Sequence, residues 1–120
     1  MRVKFRILLY MQGKRLRKSD LRGFKDPLHV GMRYVTEFKY LEATKWLLIS
    51  PDSWERTILL GLINLALGQE EQAQEFLGDL SGLRKVTDVE VFVELPQKDK
   101  RLSVNTLRDI HSLLQHLATA

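Results

Sequence analysis

The chain has 120 residues, 44% of them hydrophobic and 28% charged, with no cysteine and a formal net charge of +4. This length and composition predict one globular domain spanning residues 1–120, and the lack of cysteine excludes disulfides and thiolate metal sites and favours the cytoplasm. No apolar run approaches the roughly 20 residues needed to cross a membrane, so no membrane span is predicted. The N-terminal apolar run is also too short for a secretion signal and is followed by basic residues, which leaves an arginine-rich organellar presequence as the alternative.

The first predicted element is a β-strand over residues 2–10. Its residues alternate with the two-residue period of a strand, although Leu8 and Tyr10 interrupt the polar face and leave a helix as the alternative. The two faces are Val3, Phe5, Ile7 and Leu9 on the apolar side and Arg2, Lys4 and Arg6 on the basic side.

A dense run of basic residues, GKRLRKSDLRGFK at positions 13–25, follows this strand. It dominates the N-terminal third, since residues 1–33 carry a net charge of +8 and residues 34–120 carry −4. Such runs bind phosphate backbones without reading sequence, and solvated surface is the plainer alternative. The candidate nucleic-acid-binding residues are Lys14, Arg15, Arg17, Lys18, Arg22 and Lys25.

Helical signals fill the middle of the chain. Asp26 and Pro27 have the residue types of an N-cap and a first helical position, and they predict a helical run to Ile49 that Gly31 could break. After a turn at residues 50–53, helices are predicted over residues 54–67 and 70–80. The first of these is apolar nearly all round, which predicts that it lies buried between neighbours.

A second strand is predicted over residues 86–95, where β-branched residues alternate with polar ones until Pro96. Its acidic face matches the basic face of the first strand, so we expect the two strands to pair, within one chain or across a homodimer. Ser103 or Asn105 then begins a final helix that extends to residue 118.

These elements together predict a mainly helical α+β fold. A central helical hairpin is joined by additional helices and by a small two-stranded sheet from residues 2–10 and 86–95. The predicted order is a basic strand and loop (1–26), a helical core (27–82), a strand (86–95) and a C-terminal helix (103–118).

Residues 39–80 resemble the tetratricopeptide repeat, a helical hairpin that recurs about every 34 residues. The resemblance rests on Leu60-Gly61, the turn at Gly68, the small residue Ala73 and Leu77 four positions later. Where the family has an aromatic residue, a tyrosine and a closing proline, this chain has other residues, namely Thr57, Asn64 and Lys85. At the family's spacing the resemblance covers about one and a half units, because the region before Arg33 is interrupted by glycine and proline.

This resemblance implies a non-enzymatic module, adaptor or small chaperone that binds another protein or peptide. In the family the first helices line the binding groove, and the matching positions here include Ile58, Leu62 and Leu65. They carry no group that could grip a carboxylate, so the implied ligand is an amphipathic partner segment. The alternative is that the strands and the final helix cover this face and make it core.

Catalytic chemistry has no support in the sequence. His111 and His116 are five residues apart and point to different faces of a helix, and His29 stands alone, so no metal site or cofactor is predicted. A phosphate-binding glycine loop and a nucleophile motif are both missing from the 120 residues. The preferred prediction is therefore protein binding, with nucleic-acid binding through residues 14–25 as the alternative.

Overall fold

The computed structural model describes residues 3–96 and 100–118 and shows a mainly helical α+β fold, as predicted. Arg2, placed at the start of the predicted first strand, lies outside these residues. Short 3₁₀ helices occupy Lys18–Leu21 and Leu80–Gly82. The main elements are β1 (Arg6–Met11), β2 (Lys14–Arg15), α1 (Pro27–Thr36), α2 (Tyr40–Ile49), α3 (Trp54–Ala66), α4 (Glu70–Asp79), β3 (Val89–Leu95), β4 (Lys100–Ser103) and α5 (Leu107–Ala118).

The strands form one antiparallel sheet in the order β2-β1-β3-β4. The predicted pairing of the two outer segments is confirmed within a single chain, with Arg6 opposite Glu94 and Tyr10 opposite Glu90. The predicted count of two strands was wrong. β2 and β4 have only two and four residues, too few for an alternating pattern to show in the sequence, and each is added to the edge of a longer neighbour.

The charged residues on the sheet interact differently from the prediction. The carboxylate of Glu94 lies 3.7 Å from the guanidinium of Arg101 on β4, whereas the guanidinium carbon of Arg6 lies 4.9 Å from the ring centroid of Phe38. Exposed ion pairs contribute only about 0–1 kcal/mol. Burial of the apolar face, which includes Ile7 and Val93, therefore stabilises the pairing of β1 with β3 more than charge does.

The central residues form two helical hairpins, α1–α2 and α3–α4, rather than one hairpin and an unbroken run. The predicted run from Pro27 to Ile49 is divided at residues 37–39. Gly31, expected to break it, lies inside α1 and is buried. A Cβ atom on Gly31 would meet Cγ and Cδ2 of Leu47 at 2.8 Å, so this glycine permits the close approach of α1 and α2.

The second hairpin repeats this contact 30 residues later. A Cβ atom on Gly61 would lie 2.6 Å from Cδ2 of Leu77. In each hairpin the glycine on the first helix therefore faces a leucine 16 positions further along, on the second helix. A buried alanine, Ala73 in the second hairpin, precedes the leucine by one helical turn.

The turns within the two hairpins also match. Phe38 and Gly68, again 30 residues apart, have positive φ angles of 61° and 82°. Just after each turn, a backbone amide donates a hydrogen bond back to the first helix of its hairpin. The amide of Lys39 donates to the carbonyl of Tyr34 at 3.0 Å, and the amide of Gln69 donates to the carbonyl of Asn64 at 2.8 Å. The chain therefore holds two hairpins of one design at a spacing of 30 residues.

Helix α3 lies at the centre of the protein, and all of it except Arg56 is buried. Its leucines share one core with the inward-facing residues of β1 and β3 and with α5. The final helix begins later than predicted, because Ser103 belongs to β4. The side chain of Asn105 instead bonds the backbone of Val91, and the hydroxyl of Thr106 accepts from the amide of Asp109 to cap α5.

Candidate protein-interaction surface

The predicted groove residues lie in the core of the monomer. Ile58 and Leu62 are 0% exposed and Leu65 is 4% exposed. They belong to the cluster that joins α3 to the sheet. The structure therefore places the apolar face of α3 under the protein's own strands, where it lines no open groove.

A group of exposed apolar residues lies instead on the outer face of α2. Leu41 is 54% exposed, Leu48 50% and Ile49 67%, and Trp46 at 36% borders them. Lys45 stands among them, four residues after Leu41 and four before Ile49, which places all three on neighbouring turns of one helix face. We call Leu41, Lys45, Leu48 and Ile49 the α2 face.

Contacts at both ends of α2 hold this face in position. At the start, the buried hydroxyl of Tyr40 accepts a 2.8 Å hydrogen bond from the amide of Ile7 on β1. At the end, the guanidinium of Arg56 donates to the carbonyls of Leu47 at 2.8 Å and Leu48 at 3.3 Å, which satisfies helix-terminal carbonyls. The apolar residues are thus displayed on a fixed element.

The α4 helix shows which residues the hairpin needs at these places. Thirty residues after Leu41, Lys45, Leu48 and Ile49 stand Glu71, Glu75, Gly78 and Asp79, all exposed. A second helix of this design therefore folds without an apolar side chain at any of these four positions, and the packing of the hairpin gives no reason for the apolar residues on α2.

A groove of about 560 Å³ adjoins the start of the α2 face. Leu41 belongs both to this groove and to the α2 face, so the two surfaces are continuous. Phe38 also lines it, held at its positive φ angle between Arg6 and Tyr40. The remaining lining residues are Val3, Tyr34, Lys39, Tyr40, Glu42 and Leu67.

All six candidate nucleic-acid-binding residues are exposed. Lys14 and Arg15 form β2, and Lys18 begins the 3₁₀ helix, where its ammonium lies 3.7 Å from the carboxylate of Glu37. The other three flank that helix: Arg17, Arg22 and Lys25. Nucleic-acid binding through this surface stays a prediction.

The histidines do not converge. The imidazole of His29 lies 2.8 Å from the Asp26 carboxylate. Slight burial raises the pKa of Asp26, but the hydrogen bonds and charge of His29 outweigh this and hold the pKa below its ordinary value. His111 contacts Gln115. Among residues 3–96 and 100–118, no group of three or more potential metal ligands comes together.

Sequence reasoning missed the α2 face, although a signal was present. Residues 40–49 carry apolar side chains both at Ala43 and Leu47, which pack inward, and at Leu48 and Ile49, which do not. A comparison of the chain with itself at a spacing of 30 would have shown that only one of the two hairpins has this pattern.

None of the helices in the described part of the chain is long and apolar enough to span a membrane. No protein-family model, no curated protein and no solved structure matches this chain.

Proposed function

We propose that the protein is a non-enzymatic interaction module that binds an amphipathic helix of another protein on the α2 face. The contrast between the two hairpins carries this proposal: the exposed Leu41 and Ile49 of α2 stand where α4 has Glu71 and Asp79, and Leu48 stands where α4 has Gly78. Apolar residues grouped at one exposed site, rather than scattered singly, are typical of interaction surfaces.

The dimensions of the α2 face favour a helical ligand. Leu41 and Ile49 are eight residues apart, which corresponds to about 12 Å along a helix. A partner helix of roughly three turns covers this length, with its own apolar residues recurring every three or four positions. The groove beside Leu41 gives room for the end of such a helix.

Charge favours a different protein over a second copy of this chain. In a two-fold antiparallel pairing of α2 helices, residues near the centre of the face meet themselves. The centre here is Lys45, so its ammonium would lie against that of the other copy. A partner with a carboxylate at this place pairs with Lys45 instead, which gives specificity as well as affinity.

A transplant between the hairpins tests the proposal. The double variant Leu41→Glu, Ile49→Asp gives α2 the residues that α4 carries at the equivalent positions, so the fold is expected to persist. The matched control, Glu71→Gln with Asp79→Asn, alters the same positions on α4. The probe is a labelled helical peptide of about 14 residues, or roughly four turns, with three leucines and one glutamate on one face.

We expect the transplant to weaken peptide binding at least about tenfold, equivalent to 1.4 kcal/mol, and the control to leave it unchanged. A peptide with lysine in place of the glutamate should bind less tightly than the original. Equal binding to the transplant and the wild type would overturn the proposal. So would a homodimer in sedimentation equilibrium that the transplant dissociates, because a second copy would then occupy the face.

A further inference from the structure

A second opening lies at the other end of the first hairpin, between the β1–β2 turn, the 3₁₀ helix Lys18–Leu21 and α1. It encloses about 290 Å³, just below the range of roughly 300–1,000 Å³ typical of small-molecule sites, so it suits a single large side chain. The apolar lining consists of Met11, Leu16, Leu21, Phe24 and Met32.

Part of this lining is open to solvent and part is held firmly. Met11 is 37% exposed and Phe24 46%. One face of the Phe24 ring stacks on His29, with centroids 4.1 Å apart and planes at 12°, and the imidazole of His29 is fixed by Asp26. The methionines can adapt their shape to an entering group, whereas the phenylalanine ring is held in place by its stacking contact with His29.

The rim of the cavity is strongly basic. Residues 13–25 carry six basic residues and one acid, a net charge of +5, and Lys14 itself lines the opening. The one acid, Asp20, accepts a 2.8 Å hydrogen bond from the amide of Arg17. Asp20 also lines the opening, but the basic residues of this segment outnumber it six to one. A mainly apolar cavity within a surface of net positive charge complements a ligand that is apolar at one point and acidic around it.

We propose that this cavity takes one bulky apolar side chain from an acidic segment of a partner protein, whose carboxylates pair with the surrounding lysines and arginines. The site is separate from the α2 face and does not depend on that surface being functional. Affinity comes from burial of the apolar anchor, and charge attraction speeds the encounter and selects acidic segments.

The observations favour a peptide over a nucleic acid at this surface. Proteins that bind single strands stack successive bases on several aromatic rings. Here Phe24 is the one aromatic residue within 13–25, and His29 already covers one of its faces. Five of the nine lining residues are apolar, and the other four are Gln12, Lys14, Asp20 and His29. The apolar part of the lining can bury an apolar side chain, whereas the donors and acceptors of a base would lose their water against it.

The test compares three labelled probes by fluorescence anisotropy on the full chain. The first is a decapeptide of aspartate and glutamate with a central leucine, the second replaces that leucine with alanine, and the third is an oligothymidylate of similar charge. Two single variants, Phe24→Ser and Met11→Ser, alter the cavity. Leu107→Ser, an exposed leucine on α5, is the matched control, and urea titration confirms that each variant folds.

We expect the leucine peptide to bind at least about fivefold more tightly than the alanine peptide, as burial of three methylene-sized groups allows. Either cavity variant should abolish that ratio, while Leu107→Ser and the Leu41→Glu, Ile49→Asp transplant should preserve it. Equal binding of the two peptides means that charge alone acts, and it overturns the anchor. Tighter binding of the oligonucleotide, falling steeply between low and moderate salt, assigns the surface to nucleic acid instead.

Discussion

Replacing Gly61 with alanine should destabilise the protein, although the same change inside a helix ordinarily stabilises it by about 1 kcal/mol. The new Cβ atom would lie 2.6 Å from Cδ2 and 2.9 Å from Cγ of Leu77. Carbon atoms prefer separations of about 3.5–4.0 Å, so the leucine must retreat by about 1 Å within a packed core. Overpacking of this kind costs about 1–3 kcal/mol.

The net effect of Gly61→Ala is therefore a loss of up to about 2 kcal/mol in the free energy of unfolding. Gly78 provides the control, because it lies in α4 with no atom within 4 Å of its hypothetical Cβ. Gly78→Ala should stabilise the protein by up to about 1 kcal/mol. Urea titrations with a common m-value measure both changes.

The Leu77→Ala background isolates the contact. There the obstruction is gone, and Gly61→Ala should become stabilising by about as much as Gly78→Ala does in the wild type. The same reversal is expected for Gly31→Ala with Leu47→Ala in the first hairpin. If Gly61→Ala stabilises the wild-type protein, the hairpins do not cross at their glycines and the account of the repeat fails.

Three further predictions concern single side chains. Burial raises the pKa of Tyr40 to about 12, although the hydrogen bond from the Ile7 amide and the charge of Arg6 lower it. The buried neutral phenol therefore stabilises the fold fully below about pH 10, and this contribution is lost as the pH rises towards 12. Tyr40→Phe should lower the free energy of unfolding by about 1–3 kcal/mol at neutral pH, because the Ile7 amide loses its partner. The variant should also lose less stability than the wild type as the pH rises above 10, as measured by urea titration. An equal loss in both proteins would show that Tyr40 is not the group that titrates. Asn105→Ala should cost about 1–3 kcal/mol by leaving the amide of Val91 unpaired, whereas an effect near zero would show that water replaces the side chain. Arg56→Lys should increase amide hydrogen exchange at the end of α2, since lysine cannot reproduce the forked donation, and unaltered exchange there would contradict it.

The second hairpin was predictable because its signals are local. Gly61, Ala73 and Leu77 lie on two helices joined by a glycine turn, and their spacing alone indicates a close crossing. The first hairpin uses the same arrangement, but its Gly31 precedes Gly61 by 30 residues, so the family's spacing of about 34 residues does not align the two glycines. Its turn also contains Phe38 where the second has Gly68, and a phenylalanine with positive φ has no sequence signal.

Residues far away in the sequence decide whether the apolar face of α3 is exposed or buried. Nothing within residues 54–66 specifies whether a partner or the chain itself covers Ile58, Leu62 and Leu65. The cover comes from strands near both ends of the chain, which need an apolar surface of their own to pack on. The short strands β2 and β4 were missed for a related reason, since each forms only beside an existing edge.

The register of β1 against β3 joins residues that are far apart in the chain, since Arg6 pairs with Glu94. During synthesis each helical hairpin can assemble from contacts made within a few dozen residues, but the edge of β1 that pairs with β3 has no mate until most of the polypeptide has emerged. Until then the leucines of the central helix are open to water and to other chains. A nascent or truncated molecule that lacks the third strand is consequently the form most exposed to aggregation, and chaperone demand should end when that strand docks.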